Sequence, residues 1–301
     1  MSRRGWVLFV AMCLIWGLPY LLIRIAVRDL SPTTIVFART GIAALLLLPI
    51  ALARRVLPGL RGHWGWLLAY TVVELAIPWL LLTRAEEHLT SSLTGLLVAA
   101  VPLVGVGISR IFGLGEVMTG RRWAGLVVGL AGVAALVGLQ FGDVDLTAVL
   151  QVFIVTVGYA TGPLILSHRL STAPGLAVVT ASLGLTALLY APFAATSHPQ
   201  HVPAEAIWSV IGLAVVCTAI AFLVFFALIA EVGPVRATVI TYVNPAVAIA
   251  LGVSVLGESL TTGMIVGFPL VLVGSVLATS HSGAASTAGT DQPAEPVVSP
   301  G

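Results

Sequence analysis

The chain has 301 residues, 58% of them hydrophobic and only 9% charged, with a formal net charge of +2. A soluble domain normally carries about 25% charged residues, so a soluble core is excluded, and so small a net charge gives no footing for a nucleic-acid partner. The two cysteines, Cys13 and Cys217, lie in apolar segments and imply no disulfide framework.

Charge-free windows at 123–142, 146–167, 206–230 and 237–257 each reach the roughly 20 apolar residues that cross a bilayer as a helix. Runs this continuous lack the alternation of an outer-membrane barrel, so the expected fold class is an all-α polytopic membrane protein. Ten spans are expected, at about 6–27, 33–53, 64–83, 91–111, 123–140, 146–167, 174–196, 207–229, 235–256 and 262–280. "MSRRGWVLFV" at the start carries a twin arginine, but its apolar stretch outruns the roughly 7–15 residues of a signal core and a second span follows at once.

Span 1 carries Trp16 and Tyr20. Span 2 carries Arg39, about two turns in from its start, and span 3 carries Glu74 near its middle. Arg39 and Glu74 are the charges placed firmly inside spans, where a charge costs roughly 2.5–3.5 kcal/mol at the bilayer centre and faces a cavity or a partner. A carboxylate there can load and release a proton, and an arginine can grip a substrate carboxylate at two points. The alternative is that Glu74 and Arg39, at matching depth on antiparallel neighbours, neutralise each other as a buried pair. Pro102 interrupts span 4 and Asn244-Pro245 interrupts span 9, where the Asn244 amide, with no evident local partner, is a candidate to line the cavity. Each proline removes a backbone donor, frees a carbonyl one turn earlier, and either hinges the helix or merely kinks it.

Glu116 and Glu258 sit at the span 4–5 and 9–10 junctions, with Thr119 and Thr261 three residues on, a pattern that suits helix capping. The glycines of "GLVVGLAGVAALVG" (125–138) fit close helix packing. Tyr242 lies two residues from Asn244 and, with Trp16, is an aromatic candidate for a cavity wall. His198 and His201 lack a third ligand, so no metal and no cofactor is expected. There is no phosphate loop, zinc-peptidase motif or nucleophile elbow, and an enzyme is not expected.

If the N terminus is cytoplasmic, inner loops hold ten arginines and outer loops only Arg28 and Arg84. The positive-inside rule then puts both termini of a multi-pass protein on the cytoplasmic side of the inner membrane. Residues 283–301, rich in Ser, Gly, Ala and Pro, read as a disordered cytoplasmic tail.

Shifted by 143 residues, "ALLLLPIA" (44–51) falls on "ALLYAPFA" (187–194) and Pro102 on Pro245; after a one-residue slip, Leu114-Gly115-Glu116 falls on Leu256-Gly257-Glu258. Two related five-span units, 1–142 and 143–282, are expected. An odd number of spans inverts the second copy, the architecture of secondary transporters with a substrate site between the halves.

The Trp16-Gly17 pair, "SPTTIVFART" (31–40) entering span 2, and the Pro-then-Gly-Glu segments of spans 4 and 9 together resemble the drug/metabolite transporter superfamily, specifically its EamA-like exporters. Trp16, Arg39, Pro102, Glu116, Pro245 and Glu258 fall on positions that recur in that pattern, whereas Tyr159-Ala160 stands where Trp-Ala is common. The resemblance implies ATP-independent export of a small metabolite, amino acids or their derivatives foremost, by proton antiport. A drug exporter or an uptake permease of the same fold stays open, as does a non-transporting membrane scaffold. Expected partners are a small-molecule substrate and the lipid bilayer, with a homodimer left open.

Overall fold

In the computed structural model, six of the helices begin where short polar side chains take up backbone N–H groups that a first turn leaves without partners. Ser2 accepts from Gly5 N at 2.9 Å, Ser31 from Thr34 N at 3.3 Å, Thr90 from Leu93 N at 3.2 Å, Thr119 from Arg122 N at 3.4 Å, and Thr261 from Met264 N at 3.2 Å. Asp145 accepts from Thr147 N and Ala148 N. The Ala148 N–H, with help from Thr147, holds this exposed carboxyl below the usual carboxylate range.

The structure describes residues 1–113, 118–139, 145–197 and 201–279. Ten helices run through them: α1 (Arg3–Ala26), α2 (Pro32–Ala53), α3 (Trp64–His88), α4 (Ser91–Ile111), α5 (Gly120–Gly138), α6 (Leu146–Arg169), α7 (Gly175–Ala195), α8 (Ala204–Val232), α9 (Ile240–Leu256) and α10 (Thr262–Thr279). All but α9 are long and apolar enough to cross a membrane, and α9 is preceded by a single turn at Pro234–Ala237. Glu116, His198 and the tail at 283–301 lie outside the described residues.

Two helices differ from the expected spans. The third runs to His88 instead of stopping near residue 83, because Leu82, Thr83, Ala85 and Glu86 are all buried and continue the packed face beyond Arg84. It stops where Leu89 turns extended and Thr90 caps α4. The ninth forms a continuous helix only from Ile240, so Pro245 lies inside it.

The packing repeats across the two halves. α2 lies along α7, α5 along α10 and α4 against α9, while α1 packs on α8 and α9 as α6 packs on α3 and α4. Helix contacts of this inverted kind are made chiefly between the halves, which accounts for the buried face of each span: the rest of its surface meets lipid, as exposed Leu45, Leu130, Leu188 and Ile265 indicate.

The α5–α10 contact is the tightest. A Cβ at Gly132 would lie 2.6 Å from Val271 N, and one at Gly267 would lie 2.7 Å from Gly132 O. The two backbones therefore touch, with glycine on both sides. Gly132→Ala should lower the melting temperature of the detergent-solubilised protein, at the roughly 1–3 kcal/mol cost of overpacking. Gly184→Ala, in open space on α7, should leave it equal or slightly higher; equal melting for both variants would contradict this contact.

Candidate functional site

The charged centre is built on α2. Ser31 caps that helix and Pro32 starts it, which places Arg39 about two turns inside, where it is 7% exposed. Its Nε–H donates to Thr218 Oγ1 at 2.9 Å, and its guanidinium lies 3.8 Å from the ring centroid of buried Trp79 on α3. The aromatic face stabilises the cation without neutralising it. Among the described residues no carboxylate lies within ion-pair distance of Arg39, and its two terminal nitrogens have no hydrogen-bond partner. Tyr20 of α1, Tyr159 of α6, Cys217 of α8 and, further off, Glu86 of α3 are its electrostatic neighbours.

Thr218 can meet Arg39 because α8 is not a regular helix there. Val215–Ile220 forms a π-helical stretch, and Thr218 Oγ1 donates in turn to Leu213 O at 2.7 Å. α3 has the counterpart stretch at Thr71–Ala76, which contains Glu74. Such bulges loosen the regular ladder and recur at functional sites. Here their altered register is tied across the halves: Thr71 Oγ1 donates to Ser182 Oγ at 2.9 Å, and Tyr190 OH donates to Ala76 O at 3.0 Å, both from α7.

Glu74 does not pair with Arg39. Its carboxylate turns to α6, against Gly162, where a Cβ would overlap it. Gly158, one turn before, receives the Val73 carbonyl in the same way. Glu74 Oε2 is buried without a hydrogen-bond partner. The alternative of a mutually neutralising pair is thus replaced by two separate environments, one on α6 and one between α2, α3 and α8.

The remaining candidates are dispersed. Trp16 packs on Phe225 (4.8 Å between centroids) and Phe222 (6.2 Å) of α8, while its neighbour Gly17 admits Val247 and the Asn244 carbonyl of α9. Asn244, expected to lack a local partner, has two once its amide is oriented to donate: Cys13 O at 3.3 Å and Ile240 O at 3.0 Å. It clasps α1 to α9. Tyr242 OH bonds Thr279 Oγ1 at 3.1 Å, on α10.

Both prolines follow tightened turns. Ala99 and Ala100 bond back to Leu96 O and Leu97 O before Pro102, and Thr241 and Tyr242 bond back to Thr238 O and Val239 O before Pro245. α4 breaks at Ala99–Ala100 itself. In α9 the break falls at Thr238–Val239, several residues ahead of Pro245, because the helix tightens before the proline ring can crowd the Thr241 carbonyl.

Glu258 reaches back across the halves to the start of α4. Its Oε1 accepts from Ser91 N (2.8 Å) and Ser91 Oγ (3.0 Å), and its Oε2 from Ser92 N (3.0 Å) and Ser92 Oγ (2.5 Å). A carboxylate on a helix N-terminus meets both free N–H groups and the positive end of the dipole. Gly252 leaves room for it. One carboxylate was missed from sequence: Glu86, on the last turn of α3, is fully buried with neither oxygen hydrogen-bonded.

An apolar groove of about 280 Å³ opens between α4, α5 and α6, lined by Leu97, Ala100, Val133, Val149 and Phe153 among others. None of the candidate polar residues borders it.

The sequence model of the EamA-like transporter family matches residues 3–138 and again 146–280. The chain belongs to this family. It is 32% identical over 276 residues to the Escherichia coli protein named as an uncharacterized inner membrane transporter, YedA, covering 87% of this chain and 88% of that one. It is 26% identical to the Bacillus subtilis transporter YvbV, covering 95% of each, and 24% identical to an Archaeoglobus fulgidus transporter. A solved crystal structure aligns with a TM-score of 0.65 over 93% of this chain and 97% of that one; at 21% identity it speaks to the fold alone. This EamA-like chain is therefore a polytopic membrane transporter.

Replacing Glu258 with Ala should destabilise the protein by about 1.5–3 kcal/mol, the range for hydrogen bonds to a charged group, read as a drop in melting temperature. Ser92→Ala removes one of the four bonds and should cost less; a Glu258→Ala protein as stable as wild type would show that the α4 start is held by something else.

Proposed function

We propose that this transporter exports a small polar metabolite, with amino acids and their derivatives the leading class, by exchange for protons. The carrying observation is Arg39: a buried cation with an aromatic support, one hydroxyl partner on Nε and terminal nitrogens that bond no other described residue suits a carboxylate gripped at two points. Tyr20 and Tyr159, its neighbours on α1 and α6, add hydroxyls from both halves. In this reading the two inverted units, 1–142 and 143–282, rock about that centre, with the π stretches of α3 and α8 and the tightened turns before Pro102 and Pro245 absorbing the change. Glu74, in one of those stretches, loads and releases the proton. Trp16, Asn244 and Tyr242 hold the moving helices to their neighbours. The arginine-rich loops keep both termini cytoplasmic.

Expression in a bacterial host stripped of its own exporters, with extracellular metabolites compared by mass spectrometry, should reveal a compound that accumulates only with the wild type. Arg39→Ala should lower its export about thirtyfold or more, as expected when a charge grip worth about 2 kcal/mol or more is lost. Arg39→Lys should fail nearly as badly; full activity in the lysine variant would reduce the role to a point charge. With the compound in hand, Glu74→Gln proteoliposomes should retain cargo-for-cargo exchange and lose acceleration by a proton gradient. Unaltered gradient-driven transport would remove Glu74 from coupling.

A further inference from the structure

Glu86 is a second carboxylate enclosed by the bundle among the described residues, about 18 Å along α3 from Glu74 at the usual helical rise. It belongs to no ion pair among the described residues, is wholly withdrawn from solvent, and has both Oε1 and Oε2 buried without a donor. Arg24 of α1 stands beside it, yet its Nη1 donates to the main-chain carbonyls of Glu86 (2.5 Å) and Glu87 (3.2 Å), not to the carboxyl group. These are carbonyls that the end of a helix leaves without intrahelical partners. The guanidinium thus covers the end of α3 like a plug, with the Glu86 carboxyl behind it. The other charged or titratable groups facing Glu86 are Arg39 from α2, Glu258 from the α9–α10 connection, Tyr20 from α1 and Tyr159 from α6. Glu258 offers no donor and spends its own oxygens on Ser91 and Ser92.

An ionised carboxylate so placed would forfeit its hydration with no hydrogen bond in return, whereas a proton taken up from water on one oxygen removes the charge. We propose that Glu86 is a proton-binding site separate from Glu74, occupied by a proton in this conformation and opened to water when Arg24 releases the carbonyls at the end of α3. It lies between the end of the bundle and the Arg39 centre, where a bound proton and an anionic cargo would sense each other through the same arginine. The site depends neither on the identity of the cargo nor on the role given to Glu74.

The test is infrared difference spectroscopy of the purified full chain in lipid nanodiscs, with buffer protons as the only ligand. Between mildly acidic and alkaline buffer, the carbonyl stretch of a protonated carboxylic acid should lose a component that is absent in Glu86→Gln and present in Glu74→Gln. Glu86→Asp, which keeps a carboxyl, should shift the component without abolishing it, and covers the case in which the glutamine variant fails to fold. In Arg24→Gln the same component should exchange its proton for deuterium faster. A wild-type spectrum without a Glu86-dependent component, or one whose component persists unchanged into alkali, would overturn the proposal. A Glu74-dependent band alone would do the same while leaving the proton role of Glu74 intact.

Discussion

Within a bilayer no solvent is available to satisfy a polar group, so each backbone amide and each charge must find its partner in the protein. That constraint makes regular helices the default over nearly the whole chain, and it gives meaning to the places where regularity stops. Those places are few and come in matched form: a π stretch in α3 and another in α8, tightened turns before a proline in α4 and in α9. The two π stretches have altered carbonyls or hydroxyls tied to a neighbour, as Thr218 is to Leu213 and Arg39, and Ala76 is to Tyr190. Of these four helices, α3 and α8 border the Arg39 centre directly. The regular and glycine-lined α5 and α10 pack on each other instead, backbone against backbone.

This division follows from how membrane helices attract one another. Lipid is as apolar as leucine, so helix association relies on close packing of small residues and on polar ties. α5 and α10 use the first means, and their contact leaves little freedom to slide. α1 to α4 and α6 to α9 use mixtures: a glycine that admits a neighbour, such as Gly17 or Gly162, next to a polar clasp such as Asn244 or Thr71. A single side-chain hydrogen bond is worth about 1 kcal/mol net, which a bound ligand can exchange for contacts of its own. The ends of the bundle are tied in the same modest currency: Ser2 and Arg4 to Glu231 at one end, and Ser31 to Ser197 with Arg24 to the carbonyls of α3 at the other.

The fold was legible because its signals are long. Ten apolar runs, the matched Pro102 and Pro245, and the glycines of 125–138 repeat over many residues, and each maps onto a helix or a helix contact in the structure. The centre was legible only in part. Arg39 and Glu74 stand out as charges in apolar runs, but which neighbour each one faces depends on a rotation about the helix axis, and the one-residue bulge at Thr71–Ala76 changes that rotation without leaving a mark in composition. The partners of Asn244 are hidden from sequence for a related reason. Its partners are main-chain carbonyls, Cys13 O on α1 and Ile240 O on its own helix, and main-chain partners carry no sequence signature.

Glu86 shows where span reading by charge has to fail. "TRAEEH" (83–88) looks like a loop because four of its six residues are ionisable, yet α3 continues through it. The helix alternates faces there: Ala85 and Glu86 point inward and are fully buried, while Arg84 and Glu87 remain exposed. A helical plot would put Glu86 on the face of Leu82 and Trp79, both buried, and thus on the Arg39 side of α3. The inward charges of this protein are therefore set by helical phase carried past the apparent end of a span, with Trp79 supporting the arginine at one level and Glu86 lying one to two turns nearer the end of the bundle.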